Sequence, residues 1–384
     1  MPWRQSDAVN ERLQFVAAHQ AELYSMTELC ERFGISRKNG YKWLARYAQE
    51  GVRGLEERSH APKHSPHRIS AEVEAALLEA RRAHPSWGPK KLVAWLAPRR
   101  PDLVLPAAST AGTLLVRHGL VTPRRRRVRR SPVARPPLRS ATAANQVWSL
   151  DFKGEFRTRD GQLCYPLTVQ DVCTRYLLGV TGLDSTAGAG VRGTLEALFR
   201  ERGLPEAIRS DNGVPFVAPH TQHHGLSRLR VWWTKLGIAH ERISPGRPDQ
   251  NGRHERMHKT LKAETARPPA ADRPAQQTRF DAWRREYNEE RPHEALGQVP
   301  PGSKYPPSQR PYPEQLPGPE YPGHCEVRRV RGGGEISFHQ RNVFVSETLA
   351  QEDVALEEVE DGIWAVWFYD VEVGRLDERT FRLS

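Results

Sequence analysis

The chain has 384 residues, 38% of them hydrophobic, and a formal charge of +12 at pH 7. That is material for roughly two to four packed domains, which excludes a wholly disordered chain. No apolar run in it approaches the ~18 residues that cross a bilayer, which excludes a transmembrane helix. The cationic excess favours a polyanionic partner through steering and counterion release, although a basic soluble protein from an arginine-rich proteome would share it. Cys30, Cys164, Cys173 and Cys325 form no Cys-x-x-Cys pair, so neither a disulfide framework nor a zinc knuckle is expected. Arg4, Asp7, Glu11 and Arg12 interrupt the first stretch. No signal core is read there, and a soluble protein of a reducing cytoplasm is expected.

Residues 1–60 read as a helical unit. Ala17, Leu23, Met26, Leu29 and Phe33 recur at helical spacing. Gly34 can end a helix in the left-handed conformation, and Ser36 can cap the next. Tyr41, Trp43, Leu44 and Tyr47 supply apolar positions in that next helix. Helix, tight turn, helix is the plan of a helix-turn-helix DNA reader. Its second helix would present Arg37, Lys38, Asn39, Lys42 and Arg46 to phosphates and base edges. The plainer reading is a helical hairpin with a solvated basic face.

Residues 61–121 repeat the theme. Ile69, Val73, Ala76 and Leu77 form a stripe, Pro89 sits in the first turn of a second helix, and Ser109–His118 is a third, closed by Gly119. A second helix-turn-helix-like domain is expected, with a helical spacer as the alternative. Residues 122–144 carry Arg124, Arg125, Arg126 and Arg127 among further arginines and prolines. Such a run cannot pack a core and reads as an extended basic linker that contacts phosphates.

From 145 to 300 the character changes. Three strand-like runs (147–156, 163–172 and 176–183) precede a helix at 189–201 and a short strand at 206–210. A helix at 226–236, a strand at 239–243 and helices at 250–266 and 276–288 follow. That order implies an α/β core, a mixed sheet with helices on its faces. Residues 301–323 are crowded with proline and read as a linker. Residues 324–384 are β-rich, with turns at Gly332-Gly333-Gly334 and Asp361-Gly362, and suit a small β-barrel-like domain.

Three acids in this core stand in distinctive frames. Asp151 lies in an otherwise apolar strand, Trp148-Ser149-Leu150-Asp151-Phe152. A lone aspartate there is costly unless paired or metal-bound. Asp211 ends a strand in Ser210-Asp211-Asn212-Gly213, a string that by itself reads as a β-turn. Glu255 opens a helix after Asn251-Gly252. Two strand ends and a helix can converge three carboxylates, and Mg²⁺ or Mn²⁺ prefers such oxygen donors. Two such ions can serve an in-line phosphoryl displacement. On a basic chain, that points to an enzyme that cuts and joins DNA. No Walker A string and no Gly-x-Ser-x-Gly elbow competes with it.

Further strings sit in order around the acids: Asp171-Val172-Cys173-Thr174-Arg175-Tyr176, Ser244-Pro245-Gly246-Arg247-Pro248, Asn251-Gly252-Arg253-His254-Glu255-Arg256, and Tyr287-Asn288 with Arg291-Pro292-His293. With them, residues 145–300 resemble the RNase H-like catalytic core of DDE transposases and retroviral integrases. Bacterial insertion-sequence transposases with an integrase core are the nearest in style. The resemblance implies that Asp151, Asp211 and Glu255 hold two Mg²⁺ or Mn²⁺ ions for cleavage of DNA ends and strand transfer. It implies that Lys259 and Lys262, on the helical face of Glu255, grip the DNA end. It implies terminal inverted repeats and target DNA as partners, a dimer or higher homo-oligomer on that double-stranded DNA, and residence at the bacterial nucleoid.

The chain departs from the pattern in two ways. The interval from Asp211 to Glu255 is longer than is common, with the extra length placed in 217–229, where His220, His223 and His224 read as a polar loop. The zinc-binding His/Cys head of retroviral integrases is absent. Asp249 competes with Glu255, but its neighbour Pro248 places it before the helix. Asp171 reads as structural. Two alternatives stand beside a transposase: a non-catalytic DNA-binding protein or repressor derived from one, and a general RNase H-like nuclease.

Overall fold

A computed structural model describes residues 7–58, 69–121, 138, 140–217, 226–243 and 252–384, with backbone alone at 252 and 253. The arginine run Arg124–Arg127, the histidines at 220, 223 and 224, and the string 244–251 lie outside the described residues. The chain forms two compact units, Met1–Arg68 and Ile69–Ser384.

In the first unit, α1 (Ala8–Gln20), α2 (Met26–Arg32) and α3 (Arg37–Glu50) are followed by a 3-10 turn at Gly51–Leu55. Ser25 and Glu28 make a reciprocal capping box on α2, and Ser36 caps α3. Gly34, between them, has φ +63° and supplies the sharp turn. Phe15, Val16, Leu29, Cys30, Trp43 and Leu55 form the core. Three expected apolar positions differ. Ala17 is exposed, because the buried face of α1 runs through Phe15 and Val16. Leu23 is 71% exposed, because it falls in the loop between α1 and α2, where helical periodicity no longer applies. Tyr41 is 59% exposed, because the buried face of α3 runs through Gly40 and Trp43. A Cβ at Gly40 would meet Cys30 Sγ at 2.9 Å and Phe15 Cζ at 3.0 Å, so α3 packs there at backbone distance.

The second unit begins with α4 (Ala71–Ala83), α5 (Pro89–Arg99) and α6 (Ala108–Arg117), packed about Leu77, Trp87, Leu92, Leu96 and Leu115. The mixed sheet follows: β1 (Val147–Phe152), β2 (Phe156–Arg157), β3 (Leu163–Asp171), β4 (Leu177–Leu183), β5 (Ala207–Ser210) and β6 (Ala239–Arg242). Its order is β2-β3-β1-β5-β6, with β4 also on β3. β3 runs antiparallel to β1 and β4, while β1, β5 and β6 run parallel. Strand alternation sorts the side chains of β1. Trp148 and Leu150 join one core with α7 (Gly188–Arg202) and α8 (Arg228–Lys235). Ser149 and Asp151 point the other way, toward α9 (Gly252–Thr265). On that face Met257 and Leu261 of α9 pack with Phe280, Trp283 and Tyr287 of α10 (Arg273–Glu289).

The helices α4–α6 belong to the same compact unit as the sheet. His84 meets Glu286 at 3.2 Å, Lys90 meets Glu294 at 2.6 Å, and Arg99 meets Glu290 at 3.7 Å. The proline-rich segment is irregular, as its composition implies, and it is packed onto the core. Tyr305 stacks on Tyr176 at 4.2 Å and donates to Asn145 Oδ1 at 2.8 Å. Arg310 donates to the carbonyls of Pro205, Leu236 and Gly237. Carbonyls left at element ends attract such a donor, and proline, with no N–H of its own, leaves that task to side chains.

The remainder is β-rich: β7 (Glu326–Arg329), β8 (Glu335–Phe338), β9 (Arg341–Phe344), β10 (Asp353–Glu360), β11 (Ile363–Phe368), β12 (Val371–Asp377) and β13 (Arg382–Leu383). A five-stranded antiparallel sheet, β13-β12-β11-β10-β7, and the hairpin β8-β9 enclose one core. It is barrel-like, and no ladder joins the two sheets among the described residues. Val231 of α8 enters that core, and Lys235 meets Glu352 at 2.8 Å. No helix among the described residues is long and apolar enough to cross a membrane.

Candidate active site

Parallel pairing of β1 and β5 brings their carboxyl ends to one edge of the sheet. Asp151 lies near the end of β1, and Asp211 directly follows β5. Gly213 N donates to Asp211 Oδ1 at 3.1 Å, and Asn212 Nδ2 donates to the carbonyl of Ile243 at 2.6 Å. The turn that the sequence suggests is therefore present, and it fixes where Asp211 stands. Glu255 is in the first turn of α9, where a carboxylate also suits the helix dipole. Asp211 and Glu255 are exposed, while the Asp151 side chain is only 18% exposed.

The three acids feel one another. Burial pushes the Asp151 carboxyl up to about 7, and the charges of Asp211 and then Glu255 push in the same direction. Lys153 and a hydrogen bond from the Phe152 backbone oppose them. Among the described residues, no three or more His, Cys, Asp or Glu side chains stand as a ready metal cage. The donor set nevertheless fits a hard divalent cation. All three side chains are carboxylates, and a cation would relieve the repulsion that Asp211 and Glu255 exert on Asp151.

Behind Asp151 lies a network that sequence reading missed. Thr168 is the cross-strand partner of Asp151 and donates its hydroxyl to the Asp151 carbonyl at 3.0 Å. The same oxygen meets Nε2 of both His254 and His258 at 2.6 Å. A hydroxyl has one proton and two lone pairs, so both imidazoles donate through Nε2–H. His254 Nδ1 then accepts from Ser149 Oγ at 3.1 Å. His258 Nδ1 turns its lone pair toward Asp151 Oδ2, 3.7 Å away. Burial holds both rings neutral, lowering His254 to about 3 and His258 to about 2. The available signal was the i, i+4 spacing of His254 and His258, which puts both on the helix face one position away from Glu255.

The other predicted residues are distributed as follows. Lys259 is exposed and Lys262 half-buried on α9. Lys262 lies by Lys153 and Glu155 in a small cavity. In the first unit, Arg37, Lys38, Asn39 and Lys42 are exposed on the opening turns of α3, and Arg46 is half-buried. Lys42 and Arg46 stand 4.3 and 5.0 Å from the Trp43 ring centroid, which orients the basic face. Asp171 is structural, as expected. It is fully buried and accepts from Asn145 N at 2.8 Å and from Thr174 N and Oγ1 at 2.7 Å.

Comparison with known proteins agrees with this architecture. Two models described as integrase core domain match residues 141–248 and 236–301. A helix-turn-helix domain model matches 11–63, and a homeodomain-like domain model matches 39–115. The C-terminal domain model of IS481 family transposases matches 325–382. The 39.2 kDa protein of insertion element IS476 from Xanthomonas euvesicatoria is 30% identical over 63% of this chain and 66% of its own length. The 31.7 kDa protein of insertion element IS407 from Burkholderia multivorans is 30% identical over 48% of this chain and 63% of its own. The chain thus spans just under two thirds of the length of these relatives. A chain in the simian T-cell lymphotropic virus intasome, solved with the PP2A regulatory subunit B56 gamma, aligns at 17% identity. That alignment covers 77% of this chain and 97% of that one, with a TM-score of 0.37.

Proposed function

We propose that the chain, which matches integrase core and IS481 transposase C-terminal models and resembles insertion-element proteins, is a transposase that binds the terminal inverted repeats of a mobile element and catalyses metal-dependent DNA end cleavage and strand transfer. The observation that carries this reading is the convergence of Asp151 and Asp211, at the carboxyl ends of the parallel strands β1 and β5, with Glu255, which opens α9; the charges of Asp211 and Glu255 both act on the buried Asp151 carboxyl. Asp151, Asp211 and Glu255 would hold Mg²⁺ or Mn²⁺, two ions in all. Such ions, when bound, supply Lewis-acid polarisation and nucleophile activation at phosphorus.

The remaining work falls to the chain itself. Thr168 anchors the Asp151 backbone, and the His254–Thr168–His258 network keeps that wall of the site neutral and fixed. Lys259 and Lys262 extend one turn and two turns along α9 from Glu255, placed for the phosphates of a DNA end. Arg37, Lys38, Asn39, Lys42 and Arg46 of α3 read the repeat, and Arg124–Arg127 contribute phosphate contacts. Joining two ends in one event calls for at least two copies of the chain on DNA, acting at the bacterial nucleoid in the cytoplasm.

The test is incubation of the purified protein with labelled DNA ends from its own flanking sequence, in Mg²⁺, Mn²⁺ or EDTA. Metal-dependent 3′-end nicking and joining is expected, lost in Asp151→Asn and Glu255→Gln while DNA binding survives. Full activity in either variant would sink the assignment. Tight binding without nicking in any metal would instead favour a DNA-binding regulator.

A further inference from the structure

A second basic feature, which includes none of the three acids, lies along α9. An open cleft of about 430 Å³ is formed by α5, the turn between β3 and β4, α9 and the segment after α10. Lys91, Arg175, Arg256 and Arg291 line it, against the single acid Glu294. That acid is already taken by Lys90 at 2.6 Å. Arg291 is held by Glu264 at 3.1 Å. Neither Lys91 nor Arg256 forms an ion pair among the described residues. Like charges so close oppose one another. Burial, with the Arg291 charge adding to it, lowers the Lys91 amine to about 8.

The cleft also explains motifs that the catalytic reading leaves unused. Asp171 pins the turn carrying Arg175, whose φ of +65° is uncommon for a residue with a Cβ. Tyr287, Arg291 and His293, from the strings after Glu255, complete the wall. That conformation belongs to the loop that joins β3 to β4, whose register shifts between Val169 and Gln170, and it holds Arg175 at the cleft. Arg256 is the immediate neighbour of Glu255 on α9, so the cleft begins one residue from the acidic site.

We infer that this cleft is a phosphodiester clamp, in which Lys91, Arg175 and Arg256 hold the DNA backbone where it leaves the active site toward α5. The inference rests on the DNA-processing reading for its partner. The chemistry itself asks for a chain of phosphates, because Lys91, Arg175, Arg256 and Arg291 line an open trough whose one acid is already paired, and Arg256 follows Glu255 on α9. Backbone contacts of this kind are independent of sequence, so the clamp contributes affinity and register without base specificity.

The experiment measures binding of full-length protein to a labelled duplex as salt is varied, in the Asp151→Asn background where no cleavage occurs. Each lost phosphate contact reduces the slope of log K against log salt by about 0.9. Lys91→Gln with Arg256→Gln is expected to reduce it by about 1.8 on any sequence. Thr260→Lys, which adds a cation to the same wall, is expected to steepen the slope by about 0.9, and this variant guards against mere misfolding of the first. Unchanged slopes in both variants overturn the clamp. So does loss of inorganic phosphate binding with an unchanged DNA slope, which would mark a small-anion site. Shifted slopes in a protein that nicks no DNA in any metal would support the clamp and remove the transposase chemistry.

Discussion

Replacing Thr168 by Val tests how the acidic site is supported. The change keeps the side-chain shape and removes one hydroxyl. That hydroxyl serves three partners: the Asp151 carbonyl at 3.0 Å and the Nε2 atoms of His254 and His258 at 2.6 Å. Both rings are buried, at 1% and 3% exposure, so water cannot replace the lost partner. Each buried donor left unsatisfied costs about 1–3 kcal/mol, so two imidazoles together cost about 2–6 kcal/mol. That is a large share of an ordinary domain's stability. Urea unfolding followed by tryptophan fluorescence reads it, because Trp148, Trp232, Trp233 and Trp283 all lie in this unit's cores. Thr168→Ser is the control, since it retains the hydroxyl and loses one methyl. The expected order is wild type, then Ser, then Val far below. If Val matches wild type within about 0.5 kcal/mol, the hydroxyl does not hold the two histidines and does not support the site.

Four further outcomes are expected. Acid should destabilise the metal-free protein. His240, His254 and His293 are lowered to about 3 and His258 to about 2, each by burial first, so below the unfolded value near 6.5 the unfolded chain binds more protons and stability falls with pH. Asp151, raised to about 7, opposes this by taking a proton early in the fold. The net loss from pH 7 to 5.5 is about 3 kcal/mol, and an unfolding midpoint that rises at pH 5.5 contradicts it. Lys38→Ala and Lys42→Ala should each flatten the salt dependence of DNA binding by about 0.9 without touching cleavage chemistry, and a slope equal to wild type removes them from the interface. Arg310→Ala leaves three carbonyls without their donor; limited proteolysis should then cut faster within 301–323, and an unchanged rate shows that the strap is held by its aromatic contacts alone. EDTA should abolish nicking and leave duplex binding in place, while binding lost with the metal would move recognition into the acidic site.

Much of the site is legible in the order of residues. Asp151 stands out as the lone acid of an otherwise apolar strand frame, Trp148-Ser149-Leu150-Asp151-Phe152, where it is costly unless paired or metal-bound. The Ser210-Asp211-Asn212-Gly213 string announces a turn, and the turn is there. Ser36 and Gly34 mark the junction of α2 and α3 for local reasons of capping and φ. Local chemistry also misleads. Leu23 and Tyr41 look apolar at helical spacing, yet a loop and a one-position change of face leave both in solvent.

The amino-acid order alone does not resolve the seven strands of the tail, but it determines most helices and strands of the residue 145–300 core to within a few residues, and the three acids as candidates. Those depend on short-range terms: alternation, capping, and the cost of a charge in an apolar run. Tertiary packing decides which groups meet. Thr168 is opposite Asp151 through antiparallel register, and the two histidines reach it from a helix more than eighty positions later in the chain. Arg175 and Lys91 share a cleft with Arg256 although they lie on separate elements. The proline-rich strap reads as a spacer because proline lacks a donor; Arg310 supplies donors, and the carbonyls it finds come from Pro205, Leu236 and Gly237. Contacts of that kind are set by how the sheet and helices pack, and no local pattern encodes them.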